Sequence, residues 1–267
     1  MRRHPLIVFS LVSTTCLGGC SPGRPTTETF TWKGPVQTDS WMRLRNVSGD
    51  FDIRQGTGDS AEIQLVIERS SSYAPMAQVK VLQTTDGIIA CVLYGKDNTC
   101  SAAEYNGGNT WASGFLPFMK GSTSVKGTVV LPKGVKLDAE STNGDITVNA
   151  VGSDVMLSTV NGDIELRGTR GAVKIHTTNG DIDVGLDAMG SGFSVETTNG
   201  DVKLELPTTL NAALTMRTVN GELDLGMPAN ITTKTAKQII ATLGANGSSM
   251  DISTTNGDIT LRQRGAP

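Results

Sequence analysis

Five acidic residues recur at near-constant spacing in the second half of the chain: Asp145, Asp163, Asp181, Asp201 and Glu222, each directly after an Asn-Gly pair. Carboxylates in such a series can do two kinds of chemistry. Brought into a column, they could bridge a hard cation such as calcium, which takes oxygen ligands. Alternatively, each carboxylate could cap backbone N–H groups of its own turn, as short acidic side chains do. Like charges stacked about 4.8 Å apart in water repel by roughly 0.9 kcal/mol per pair before salt screening. A column therefore needs no cation, and capping is the expectation. Asp145, Asp163, Asp181 and Asp201 stand as weak metal candidates only, because calcium-binding nonapeptide repeats have a shorter period and more Gly and Asp.

Other reactive side chains are sparse. The chain lacks Gly-x-Ser-x-Gly, His-Glu-x-x-His and a phosphate loop. Asp183, Lys174 and Lys203 are the set that could act on a polysaccharide if one strand face gathered them, but any solvated face carries such residues. His176, between Ile175 and Thr177, reads as a surface residue. Cys91 and Cys100 are expected to close a disulfide in an oxidising compartment. Metal binding by the two cysteines is the weaker reading, since His176 lies in another region. No catalytic residue and no cofactor is expected.

The elements that must position these residues are repeats. Asn-Gly followed by an acid starts at Asn143, Asn161, Asn179, Asn199, Asn220 and Asn256, at intervals of 18, 18, 20, 21 and 36 residues. A fixed period near 20 marks stacked units. On both sides of each turn, apolar and polar residues alternate, as in Val173-Lys174-Ile175-His176-Thr177-Thr178 and Ile182-Asp183-Val184. That is the period of a half-buried strand. The structural turn residues are Asn143, Gly144, Asn161, Gly162, Asn179, Gly180, Asn199, Gly200, Asn220, Gly221, Asn256 and Gly257. Glycine is expected to supply the positive φ of the corner, and asparagine tolerates that region. Asn-Gly between alternating strands is also a hairpin signal, so an antiparallel β-meander or sandwich is the alternative. Near-identical units that stack like on like, with Thr and Asn able to ladder between rungs, favour an all-β, parallel β-solenoid of two strands per rung. The double interval before Asn256 reads as a degenerate rung around Ile239 and Ile240, with a bulge or local departure from the stack.

The N-terminal part has a different character. Arg2, Arg3 and the apolar run Leu6 to Leu17 form a signal peptide over residues 1–19, too short to span a bilayer. It ends in Leu17-Gly18-Gly19-Cys20, which resembles the lipobox of bacterial lipoproteins. In those proteins the cysteine is acylated and becomes the new N-terminus, so Cys20 is the expected lipidation site, followed by a flexible tether over 20–37. Residues 38–134 form an N-terminal β region with a Gly- and Ser-rich insertion at 95–126, and 135–267 hold the repeats. Ten of the twelve aromatic residues lie between Phe30 and Phe118. Asn46-Val47-Ser48-Gly49-Asp50 looks like a degenerate copy of the repeated turn. In the insertion, Tyr105, Trp111, Phe115, Leu116 and Phe118 are expected to fold back over an open edge of the core, or else to form an apolar contact surface. The formal net charge of −3, without basic clusters, argues against nucleic acid as a partner.

The repeated Thr/Val-Asn-Gly-Asp-Ile, the early Asn-x-Ser-Gly-Asp turn, the Cys-containing insertion and the closing Leu243-Gly244-Ala245-Asn246-Gly247 together resemble a family. It is the bacterial β-strand-repeat proteins labelled "putative adhesins", with toast-rack domains. The resemblance covers roughly residues 38 to 262. It implies a cell-envelope protein and no catalytic residues. The expectation is thus a non-enzymatic, lipid-anchored β-solenoid scaffold for an envelope protein or glycan, on the outer membrane if the envelope has two. An envelope-stress sensing or regulatory module and a carbohydrate-active β-helix enzyme are the alternatives.

Overall fold

A computed structural model describes residues 13–14, 24–96, 98–113, 120–245 and 247–264. The signal peptide, Cys20, Phe115, Leu116 and Phe118 therefore lie outside the described residues, apart from a two-residue strand at Ser13–Thr14. The chain divides into two compact units, Met1–Val135 with Ala139–Gly144, and Lys136–Asp138 with Asp145–Pro267.

The second unit is the repeat region. Val155–Asn161, Val173–Asn179, Phe193–Asn199, Ala212–Asn220 and Ser248–Asn256 each run into an Asn-Gly-acid corner. Each continues as Ile164–Thr169, Ile182–Leu186, Val202–Leu206, Leu223–Gly226 and Ile259–Gln263, respectively. The strands before the corners pair with one another in parallel, and so do the strands after them, with corner Asn on corner Asn. Two strands per rung in two largely parallel sheets is the expected solenoid-like arrangement. The meander alternative does not occur here. Alternation sets the core: Val173, Ile175, Ile182 and Val184 point inward and are buried, while Lys174 points out. Stacking each rung on the next covers such a face.

The rungs are not stacked in chain order. The strand before Asn256 lies between those before Asn199 and Asn220, and its second strand likewise separates Val202–Leu206 from Leu223–Gly226. The expected degenerate rung at Ile239 and Ile240 is also corrected. Gln238–Leu243 runs antiparallel to Ala212–Asn220, and Asn230–Lys234 runs antiparallel to Gln238–Leu243. A parallel stack leaves a row of unpaired backbone groups at its last strand, and a hairpin laid on that edge covers it. The chain reaches the end of the stack with the Asn220 rung, closes one sheet with this hairpin, and returns to insert its last repeat one place back.

In the first unit, Thr26–Pro35, Ser60–Arg69 and Lys120–Leu131 form an antiparallel set, with Phe51–Gln55 parallel to the last. Ala77–Thr84, Gly87–Tyr94 and Trp41–Arg45 form a second sheet. Two expectations change. Residues 26–35 fall within the expected flexible tether, yet they pair with Ser60–Arg69 along their whole length, because Phe30 and Trp32 alternate inward with Thr31 and Lys33 outward. The end of the 95–126 insertion is strand from Lys120 onward. The early turn is a corner, as expected, running from Trp41–Arg45 into Phe51–Gln55 with Ser48 bridging Asn143. Asn46 is completely buried there. Its amide donates to Val125 O (2.8 Å) and Ser48 O (3.1 Å), and its carbonyl accepts from Val47 N–H (2.9 Å) and the Tyr94 hydroxyl (2.6 Å). Burial pushes the Tyr94 phenol well above its ordinary pKa.

Candidate functional site

The corners of the repeat unit carry its recurring Asn, Gly and acidic residues. Three ladders run through them. The buried threonines Thr177, Thr197, Thr254 and Thr218 donate to the carbonyls of Gly162, Gly180, Gly200 and Gly257 in the neighbouring rung, at 3.0–3.2 Å. The asparagine amides form a second ladder, Asn179 to Asn161, Asn199 to Asn179, Asn256 to Asn199 and Asn220 to Asn256, at 2.7–2.9 Å between Nδ2 and Oδ1. In the third, the backbone N–H groups of Asp163, Asp181, Asp201, Asp258 and Glu222 donate to the carboxylates of Asp145, Asp163, Asp181, Asp201 and Asp258, all at 2.8 Å. The carboxylates therefore cap the next rung, where capping of their own turn was expected. In-register stacking puts the neighbour's N–H where the acid reaches it.

Two consequences follow for the acids. Glu222 occupies the last position, where no further N–H has to be met, so the geometry that favours Asp lapses. Asp145, Asp163, Asp181 and Asp201, the weak metal candidates, each already direct one carboxylate oxygen at a backbone donor. Among the described residues no three His, Cys, Asp or Glu side chains converge on a common point.

The glycines are set by space more than by backbone angle. Gly200 and Gly257 have φ of +156° and +155°, while Gly180 lies outside the left-handed range. A Cβ on Gly180, Gly200 or Gly257 would sit 2.0 Å from the carbonyl oxygen of the glycine in the neighbouring rung. The expected positive-φ role is thus secondary to a close backbone approach. Two residues were missed from sequence. Asp258 belongs to the sixth triplet, but its place in the column depends on the inserted rung. Lys237 closes the end, its ammonium donating to Gly221 O at 2.8 Å where an internal corner has a threonine, and nothing in its surroundings in the sequence marks it.

The polysaccharide set is not assembled. Lys174 precedes the corner and Asp183 follows it, so they lie in different sheets. Lys203 is the in-register partner of Asp183, but Asp183 is held in a fork by Arg167 (2.9 and 2.5 Å), which also meets Glu165 at 3.1 Å. The hydrogen bond to Asp183 is the main reason that the Arg167 pKa is raised. Gly185 lies beneath Arg167, where a Cβ would stand 3.2 Å from Arg167 Cδ. Arg262, Asp224 and Gly226 repeat the pattern. His176 lies on the outer face, 3.7 Å from the Glu196 carboxylate.

Cys91 and Cys100 are joined as a disulfide. Cys91 is buried with Ile89 and Leu93, and Tyr105 packs on this cluster. The Tyr105 hydroxyl donates to Val92 O at 2.6 Å, and burial raises its pKa. Tyr105 thus folds back on the core, whereas Trp111 is 67% exposed. A shallow trough of about 450 Å³ is lined by Lys33, Arg54, Gln55, Thr57, Asp59 and Glu62, with Lys33 and Glu62 paired at 2.5 Å. Among the described residues, no helix is long and apolar enough to cross a membrane.

A stack of parallel two-stranded rungs, tied by side-chain ladders at one corner, defines a β-repeat scaffold. Residues 43–262 match the family Toastrack DUF4097, and the chain belongs to that family. Two solved structures are similar to it. One is described as "a putative cell adhesion protein" from Clostridium sporogenes, 10% identical, with a TM-score of 0.46 over 88% of this chain and 100% of that one. The other is described as "a putative adhesin" from Bacteroides fragilis, 9% identical, with a TM-score of 0.29 over 87% and 96%. No curated protein matches this chain.

Proposed function

We infer that this chain is a non-enzymatic cell-envelope protein, anchored by lipid on Cys20, whose repeat unit is a rigid scaffold for contact with an envelope protein or a glycan. The observation that carries the reading is the in-register stacking of outward side chains. Ser158, His176, Glu196, Ser253 and Arg217 are successive partners on one sheet, and Glu165, Asp183, Lys203 and Thr260 on the other. Such rows repeat polar groups about every 4.8 Å along a fixed line. The corner ladders meanwhile hold one carboxylate oxygen each of Asp145, Asp163, Asp181, Asp201 and Asp258 on backbone donors. A surface of this kind suits an extended partner, as the concave and flat faces of other repeat proteins do.

Two measurements test this. Metabolic labelling with a fatty acid should mark the protein and be lost in Cys20→Ser, with the variant released from the membrane fraction. Unlabelled wild-type protein would remove the anchor. Cross-linking in intact envelopes from photoreactive groups at positions 196 and 203 should capture a partner in a Cys20-dependent manner, and absence of any adduct from both positions would count against the scaffold role.

A further inference from the structure

Asn-Gly is the pairing in which an asparagine side chain most readily closes on its own backbone. The glycine amide nitrogen attacks the asparagine Cγ, its proton is lost, and ammonia leaves. Water then opens the resulting succinimide to aspartate or isoaspartate, so the only other reactant is solvent. The step needs a glycine N–H that is not held elsewhere and a side chain free to swing onto it.

The stack withholds both at four of the five corners from Asn161 onward. The amides of Gly162, Gly180, Gly200 and Gly257 donate to the carbonyls of Asn179, Asn199, Asn256 and Asn220, respectively, at 2.9–3.0 Å. The asparagines of the internal rungs 179, 199 and 256 are held twice, giving one ladder hydrogen bond and receiving another. The Asn220 corner is the end of the stack, because the last repeat is inserted beneath it. Among the described residues nothing accepts the Gly221 N–H, and the Asn220 side chain is held only by its donation to Asn256 Oδ1 at 2.8 Å. Leu223 and Leu225 of the same rung are partly exposed, whereas Leu204 and Leu261 beneath are buried. End units of a stack open locally with the least free energy.

We propose that Asn220–Gly221 is a spontaneous modification site, converting to aspartate and isoaspartate through the succinimide while the ladder protects the corners beneath it. Conversion replaces an amide donor by a carboxylate that faces the Asn256 carbonyl oxygen, and sets a new negative charge close to Glu222. In the isoaspartyl product the backbone also gains one methylene at the corner. Both changes loosen the terminal rung, so the protein carries a chemical record of age at one end of its scaffold.

The test is incubation of the folded protein at mildly alkaline pH and 37 °C, followed by peptide mass spectrometry of each corner for the gain of about 1 Da and for isoaspartate. A parallel sample unfolded in urea gives the intrinsic rates, and Asn106, which precedes Gly107 outside the ladder, serves as a reference. The expected result is conversion at Asn220 at least about tenfold faster than at Asn161, Asn179, Asn199 and Asn256, the factor set by about 1.4 kcal/mol of easier local opening. In urea the five rates should converge. Equal rates at all five corners of the folded protein, or an internal corner reacting first, would overturn the proposal.

Discussion

Alanine at a corner glycine tests whether the stacking contact, and not the backbone angle, selects the residue. In Gly200→Ala the new Cβ lies 2.0 Å from Gly180 O, more than an ångström inside ordinary contact, and the obstacle is backbone. Relief requires the two rungs to part at the corner. Four hydrogen bonds cross there: Gly180 N–H to Asn199 O, Asp201 N–H to the Asp181 carboxylate, Asn199 to Asn179, and Thr197 to Gly180 O, at 2.8–3.2 Å. At about 1 kcal/mol net for each, their loss destabilises the protein by about 3–4 kcal/mol. Gly180→Ala meets Gly162 O at the same 2.0 Å without a left-handed φ, so it should cost as much. A methyl group placed on Gly192 would meet nothing within 4 Å, and alanine there should be neutral or stabilise by less than about 1 kcal/mol. Urea unfolding of the three variants, compared by midpoint at fixed slope, measures this. If Gly180→Ala were tolerated while Gly200→Ala was not, φ would be the determinant. If both were within about 1 kcal/mol of wild type, the close approach would not hold the stack together.

Other consequences concern the first unit. Asn46→Ala leaves Val125 O without the buried Asn46 amide and the Tyr94 hydroxyl with Ser48 O at 3.1 Å as its remaining acceptor, and should destabilise by about 2–3 kcal/mol, read by urea unfolding. Cys91→Ser with Cys100→Ser opens a loop of sequence separation 9 and should lower stability by about 2–3 kcal/mol, with reductant reproducing the shift in wild type. Arg43 holds Asp86 in a fork, and that hydrogen bond lowers the Asp86 pKa from 3.8 to about 2. The folded-state pKa is depressed, so the pair's stabilisation is present above pH 3.8 and is lost as pH falls toward 2. Half-exposure of Asp86 keeps it under about 1 kcal/mol. Asp86→Asn should flatten that part of the acid-unfolding curve.

The corners and the strand alternation were legible because both are local: a turn residue and its two flanking strands lie within about a dozen residues. The disulfide and the turn at Asn46–Asp50 were readable for the same reason, whereas the burial of Asn46 was not. The order of the rungs was not. Near-identical repeats fit against one another in any sequence, so the pattern gives no preference for Asn256 beside Asn199 over Asn220. The interval of 36 residues, twice 18, therefore reads as a degenerate rung departing locally from the stack, when it holds a hairpin that closes an edge. Lys237 was invisible because a cap by one ammonium needs no motif. The separation of Lys174 from Asp183 could have been read, since they stand on opposite sides of the Asn179 corner and two strands of a rung belong to different sheets. Thr26–Pro35 was obscured by the Pro- and Gly-containing segment just before it, although Phe30 and Trp32 already alternate with polar residues.

The measurement closest to the central claim asks which rung lies beside which. Glu196 and Ser253 are direct partners across neighbouring strands, and Ser253 separates Glu196 from Arg217. In-register parallel neighbours lie about 4.8 Å apart, within disulfide reach, whereas two rungs span about 9.6 Å, outside it. Oxidation of the double variant Glu196→Cys with Ser253→Cys should give an intramolecular disulfide, identified by mass spectrometry of a non-reduced digest. The double variant Glu196→Cys with Arg217→Cys should give none. The reverse pattern would mean that the repeats stack in chain order, and would contradict the inserted rung and the end corner built on it.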